Sequence, residues 1–152
     1  MLRIRAAVYL SVLALIPIDT RASIPELQPS AISEVEYFIY PSYISRIMNM
    51  EKGEVEKSYL IRLHFRSGAV LNTELGALTK ALLDGVSQSS NQRVDGDFRY
   101  AIAIYGNGAS TNKTLYLDGF SPIGVIDGRR VDLNPEVFRK LKKCLDGYGG
   151  RG

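Results

Sequence analysis

The sequence predicts a single α+β domain with a mainly antiparallel sheet, and three observations support this class. Several short segments alternate apolar and polar residues, as strands with one buried face do. Two longer segments repeat apolar residues every three or four positions, as amphipathic helices do. Turn signals separate the strands at short intervals, which favours hairpins over parallel crossovers. We expect about five to six strands, one central helix and one C-terminal helix.

Length and composition fit one folded domain. The chain has 152 residues, of which 45% are hydrophobic and 23% are charged, and this composition is ordinary for a globular domain. The single cysteine, Cys144, excludes an intramolecular disulfide framework, and the single histidine, His64, excludes zinc sites that need two or more histidines. We therefore predict no cofactor, and we assign no catalytic residue and no metal ligand from the sequence.

The N-terminal segment, residues 1–22, has the features of a secretory signal peptide. Two arginines precede the apolar run Ala6–Ile18, and small residues occupy the third and the first position before Ser23. The run has 13 residues, fewer than the about 20 that a membrane-spanning helix needs. We predict cleavage before Ser23, a domain over residues 23–152, a secreted or periplasmic location and no membrane span after cleavage. A buried N-terminal helix and an uncleaved anchor are the alternatives.

Cleavage would leave a nearly neutral domain. Residues 1–22 carry three arginines and one aspartate, so their removal lowers the formal net charge from +3 to +1. Proteins that bind nucleic acid need a basic surface to meet the phosphate backbone. The charge balance therefore argues against nucleic acid as a partner, and it leaves the oligomeric state open.

The first part of the domain predicts two strands. Glu34–Tyr40 is rich in β-branched and aromatic residues and ends before a proline, which favours a strand. Residues 42–50 fit a helical turn or a strand, and the polar segment Glu51–Lys57 with its central glycine predicts a solvated turn. Lys57–Arg66 alternates and predicts a half-buried strand. Its apolar face comprises Tyr59, Ile61, Leu63 and Phe65.

The central helix follows a break at Ser67-Gly68. Its apolar stripe comprises Leu71, Leu75, Leu78, Leu82 and Val86. Asn72 or Thr73 can cap its first turn. Both helices and one sheet face together predict a core of Leu63, Phe65, Leu75, Leu78, Leu82, Ile102, Ile104, Phe138 and Leu141.

The later part of the domain predicts a loop over residues 87–97 and then a hairpin. Phe98–Tyr105 alternates as a strand, and its partner, Thr114–Asp118, follows the glycine-rich connection 106–112.

A second hairpin and the last helix follow. Asp127-Gly128 suits the positive φ angles of a type I′ turn. Asn134-Pro135 suits the start of a helix, and residues 147–152 predict a frayed tail.

Two groups of residues are candidates for contact with a partner. Arg62, His64 and Arg66 alternate on the polar face of their strand and predict a basic strip, whose alternative is a plain solvated face. Tyrosines crowd the first strand and its exit, at Tyr37, Tyr40 and Tyr43. Tyrosine is enriched at protein interfaces, although such residues also bridge core and solvent at sheet edges.

These features favour a binder over an enzyme. We expect an exported protein-binding module, such as an inhibitor of a secreted hydrolase or a toxin-immunity protein, with a protein as its partner. One alternative is a small enzyme acting on an envelope polymer through His64 and carboxylates that the fold brings together. Another is an assembly component that pairs through an exposed strand edge.

Overall fold

The computed structural model describes residues 32–45, 49–86, 88–90, 92–106 and 112–149. Within these ranges the chain forms one seven-stranded sheet, three α-helices and one 3₁₀ helix, so the predicted α+β class is confirmed. The strands are β1 (Ile32–Ile39), β2 (Ile61–Phe65), β3 (Gln88–Ser90), β4 (Phe98–Gly106), β5 (Lys113–Asp118), β6 (Ile123–Ile126) and β7 (Arg129–Asp132). The helices are α1 (Lys52–Ser58), the 3₁₀ helix Gly68–Asn72, α2 (Glu74–Asp84) and α3 (Pro135–Gly149). The predicted signal peptide and most of the connection 106–112 lie outside the described residues.

The strand order is β2-β1-β4-β5-β6-β7-β3, and every neighbouring pair is antiparallel. The short strand β3 lies within the segment that the sequence predicts as a loop, and this prediction is wrong for its three residues. β3 pairs with β7, where Gln88 is opposite Asp132 and Ser90 is opposite Arg130. Its residues are polar and show no hydrophobic alternation, so the sequence pattern does not predict a strand there. The strand forms through backbone pairing with β7.

One face of the sheet carries α2 and α3. Strand β4 lies between β1 and β5 at the centre, and the first seven of its residues are buried. Six residues of the predicted core are buried, namely Leu75, Leu82, Ile102, Ile104, Phe138 and Leu141. The remaining three, Leu63, Phe65 and Leu78, are partly buried and pack against this cluster.

The opposite face is covered in part by α1, a helix where the sequence predicts a turn. Glu51 and Glu54 form a reciprocal capping box, which satisfies backbone donors that the helix start leaves open. Val55 is the one buried residue of α1 and packs with Met50 on the sheet. Tyr59 follows α1 and packs against Phe38 at 5.3 Å between ring centroids, so it does not belong to the core face of β2 as predicted.

Local turn and cap chemistry follows the sequence closely. Asp127 and Gly128 have φ angles of 50° and 76°, as a type I′ turn requires. The Thr73 hydroxyl accepts a hydrogen bond from the N–H of Gly76, and Asn134 Oδ1 accepts from two N–H groups of α3. The end of α3 departs from the prediction, because the helix continues to Gly149 rather than fraying after residue 146. Among the helices of the described residues, none combines the length and the hydropathy that a membrane span requires.

Candidate functional site

A group of charged and phenolic side chains lies on the sheet face that α1 covers only in part. On β1, Val35 and Tyr37 point toward α2 and α3. Because side chains alternate along a strand, Glu34 and Glu36 lie on the opposite face. The register places Glu36 directly opposite His64 of β2. We call this group the Glu36 cluster, and it comprises Glu34, Glu36, Arg62, His64 and Tyr105.

Glu36 is the buried centre of the cluster, with 4% of its surface exposed. Its Oε1 forms an ion pair with Arg62 Nη2 and accepts a hydrogen bond from Arg62 Nε at 3.1 Å. The Tyr105 hydroxyl donates to Oε2 at 3.4 Å. A buried carboxylate is tolerated only when such partners replace water. The hydrogen bond and the charge of Glu36 in turn raise the pKa of the Arg62 guanidinium.

His64 lies between two carboxylates. Its Nε2 is 2.5 Å from Glu34 Oε1, and its Nδ1 is 3.6 Å from Glu36 Oε1. The strip predicted as basic is therefore a patch of mixed charge, because β1 supplies acidic side chains that the sequence of β2 does not reveal. Arg66, the third member of the predicted strip, is exposed at the bend after β2.

Tyr105 within the cluster and Tyr116 beyond it continue the polar face. Burial raises the pKa of Tyr105, and the charge and hydrogen bond of Glu36 raise it further. Burial and the neighbouring Glu56 raise the pKa of Tyr116 to about 12, and its hydroxyl donates to Glu56 Oε2 at 3.1 Å. Both phenols are therefore neutral donors at ordinary pH, and they orient carboxylates rather than titrate.

The tyrosines proposed from the sequence do not form one surface. Tyr37 is fully buried beneath α2, and its hydroxyl is 3.1 Å from Thr79 Oγ1. Burial raises its pKa to about 12, and the side chain offers no surface to a partner, so its assignment as a binding residue is corrected. Tyr40 is half-buried with the Arg99 guanidinium 5.2 Å from its ring centroid, while Tyr43 is exposed.

A second polar cluster joins the segment after β1 to the C-terminal helix. Ser42 Oγ is 2.6 Å from Lys142 Nζ, a separation that a serine–lysine catalytic pair also shows. Here, however, Lys142 Nζ is 3.0 Å from Asp146 Oδ2, and the Ser42 hydroxyl donates to the same oxygen at 2.8 Å. Both side chains therefore contact the Asp146 carboxylate, and the cluster links the segment after β1 to α3.

Two cavities among the described residues have linings that include no member of the Glu36 cluster. One, of about 520 Å³, is lined by Lys52, Arg93 and Phe98 among others, and the other, of about 790 Å³, lies between α2 and α3. Comparison of the chain with protein-family models, with curated proteins and with solved structures found no match.

Sequence reasoning found two of the five members of the Glu36 cluster. It singled out Arg62 and His64 but not Glu34, Glu36 or Tyr105. One signal was present, because Glu34 and Glu36 alternate on the polar face of the predicted first strand. Pairing that strand with the strand that carries His64 would bring side chains of opposite charge together.

Proposed function

We propose that this chain is an exported protein-binding module that contacts its partner through the Glu36 cluster. The observation that carries the proposal is the display of both charge signs on one rigid sheet face. Glu34, Arg62 and His64 keep 37%, 46% and 35% of their side-chain surfaces exposed around the buried Glu36 carboxylate. Charges arranged in this way give a partner surface specificity and orientation.

Rigidity supports this interpretation. The cross-strand pairing fixes Glu36 against His64, and the Arg62 and Tyr105 hydrogen bonds hold the carboxylate in one position. A surface that is already ordered loses little conformational entropy when a partner binds. The signal-like residues 1–22 support export, and an inhibitor of a secreted hydrolase or a toxin-immunity protein is the kind of role that suits a small exported binder.

Co-purification followed by amide hydrogen exchange tests the proposal. The full sequence, residues 1–152, would be expressed in a host with a secretory pathway, and a stoichiometric partner that co-purifies with the chain would be identified by mass spectrometry. We expect the partner to slow exchange in β1 and β2. Protection confined to α2 and α3 would contradict the proposed surface, and cytosolic recovery of the full-length chain would contradict export.

One observation favours a second candidate, an acid–base enzyme acting on an envelope polymer. His64 Nε2 lies within hydrogen-bond distance of Glu34 Oε1, and a carboxylate that orients an imidazole is a common feature of general-base sites. A polymer-degrading activity that His64→Ala abolishes and Glu136→Gln preserves would support this candidate. Glu136 is a suitable control because it lies on α3, outside the Glu36 cluster, and forms an exposed ion pair with Lys140.

A further inference from the structure

Three side chains of types that can ligate a metal ion lie close together within the Glu36 cluster. One oxygen from each of Glu34 and Glu36 and one imidazole nitrogen of His64 all lie within 4.8 Å of one another. The backbone fixes this arrangement, because Glu36 and His64 are direct cross-strand partners. Glu34 is two residues before Glu36 on the same strand and therefore projects from the same face.

We propose that Glu34, Glu36 and His64 bind a divalent first-row transition-metal ion, with Zn²⁺ as the ion to test first. One imidazole nitrogen and two carboxylate oxygens suit such ions, whereas Ca²⁺ and Mg²⁺ take oxygen ligands. Three protein ligands would leave a position for water or for a group from a partner. This site goes beyond the proposed function, since protein binding does not require it.

The charge of the surroundings favours a cation. Within the cluster, the two carboxylates of Glu34 and Glu36 outnumber the single guanidinium group of Arg62 by one negative charge. Tyr105 and Tyr116 add only neutral hydroxyls, which donate to Glu36 and Glu56. A metal would have to displace the Arg62 guanidinium from Glu36 Oε1 and replace the direct contact between His64 and Glu34.

The Arg62 side chain is exposed enough to leave Glu36 when a metal ion binds. Its side chain is 46% exposed, so the guanidinium group can rotate into solvent. The metal ion would then replace arginine as the positive charge next to Glu36. The Tyr105 hydroxyl on Glu36 Oε2 would remain as an outer hydrogen bond. Outer hydrogen bonds of this kind orient metal-binding carboxylates.

Calorimetric titration of the purified, chelator-treated protein with Zn²⁺ alone tests the site. We expect one saturable site, an affinity at least about tenfold lower in His64→Ala and in Glu34→Gln, and no change in Glu136→Gln. Circular dichroism would show that each variant is folded. The absence of saturable binding, or equal binding by the wild-type chain and His64→Ala, would overturn the proposal.

The single histidine allows a second test that needs no variant. His64 is the only imidazole in the chain, so its ring resonances in an NMR spectrum are assigned without ambiguity. We expect these resonances to shift at one equivalent of Zn²⁺ and to return when a chelator is added. Ring resonances that stay in place while Zn²⁺ binds would put the ion elsewhere and overturn the assignment.

Discussion

The carboxylate of Glu36 lies directly across the strand pair from His64 and forms an ion pair with Arg62 on that same strand. The pairing of β1 with β2 determines the charge of this sheet face. Without β1, the polar side of β2 would be basic, but with β1 it is a patch in which positive and negative groups alternate. Because Glu36 is nearly inaccessible to water, it organises the exposed charges around it and does not itself offer a contact to a protein partner.

Glu36→Ala should destabilise the fold by about 1–3 kcal/mol, because the half-buried Tyr105 hydroxyl and the Arg62 guanidinium lose their common acceptor. The lower part of that range is expected, since the Arg62 side chain can regain water. Glu34→Ala, which removes a more exposed carboxylate, should cost no more than about 1 kcal/mol. Urea denaturation of both variants measures the difference, and equal costs would show that Glu36 does not hold the cluster together.

Gly76→Ala should destabilise the chain, and Gly53→Ala should not. A Cβ atom at Gly76 would lie 2.0 Å from the backbone oxygen of Val70, whereas nothing lies within 4 Å of a Cβ at Gly53 in α1. The first substitution forces the 3₁₀ helix away from α2 and should cost about 1–3 kcal/mol. The second should add about 0.5–1 kcal/mol by reducing the freedom of the unfolded chain. Thermal unfolding of the two variants tests this contrast between two helical glycines.

The hydrogen bonds of Asp146, which link the segment after β1 and Tyr100 to α3, should make the stability of the fold depend on pH in the acid range. Burial alone would raise the pKa of Asp146, but hydrogen bonds from Tyr100, Ser42 and Lys142 more than offset this effect, so its pKa is lowered. The folded state therefore releases this proton more readily than the unfolded state. The resulting stability is present above the ordinary aspartate value of 3.8 and is lost as the pH falls from there through the lowered folded value.

Asp146→Asn isolates that contribution. The variant should be less stable than the wild-type chain at neutral pH, and the difference should shrink as the pH falls below about 4. Asp84→Asn is the control, since Asp84 forms an exposed pair with Lys80 one helical turn away, and such pairs contribute little. Denaturation of the three proteins across this pH range measures the effect. A constant difference in the free energy of unfolding between Asp146→Asn and the wild-type chain would contradict the role assigned to Asp146.

The sequence predicts best where the determining chemistry is local. The turn at Asp127-Gly128 and the caps at Thr73 and Asn134 depend on neighbouring residues alone, and all three are present. Helix α1 does not follow from the sequence, because its seven residues contain a single buried side chain, Val55, which is buried in a cluster that includes sheet residues such as Phe38 and Ala101. No repeating pattern can arise from one apolar position.

The candidate site was predicted only on one of its two strands for the same reason. Alternation within β2 displays Arg62 and His64 on the polar face, but the acceptor for Arg62 lies 26 residues earlier in the chain. The direction and register of the β1–β2 pair bring the two together. Burial of Tyr37 also depends on the sheet face that α2 covers, which aromatic content alone does not specify.

The most direct test of a protein-binding face is the affinity of the co-purified partner for a charge-reversed cluster. Glu34→Lys is preferred to a substitution of Arg62, because Arg62 supports the buried Glu36 and its loss would confuse binding with stability. We predict that Glu34→Lys raises the Kd by about tenfold or more, equivalent to about 1.4 kcal/mol, while Glu136→Lys on α3 leaves it unchanged. An equal Kd for both variants and the wild-type chain would contradict binding through the Glu36 cluster.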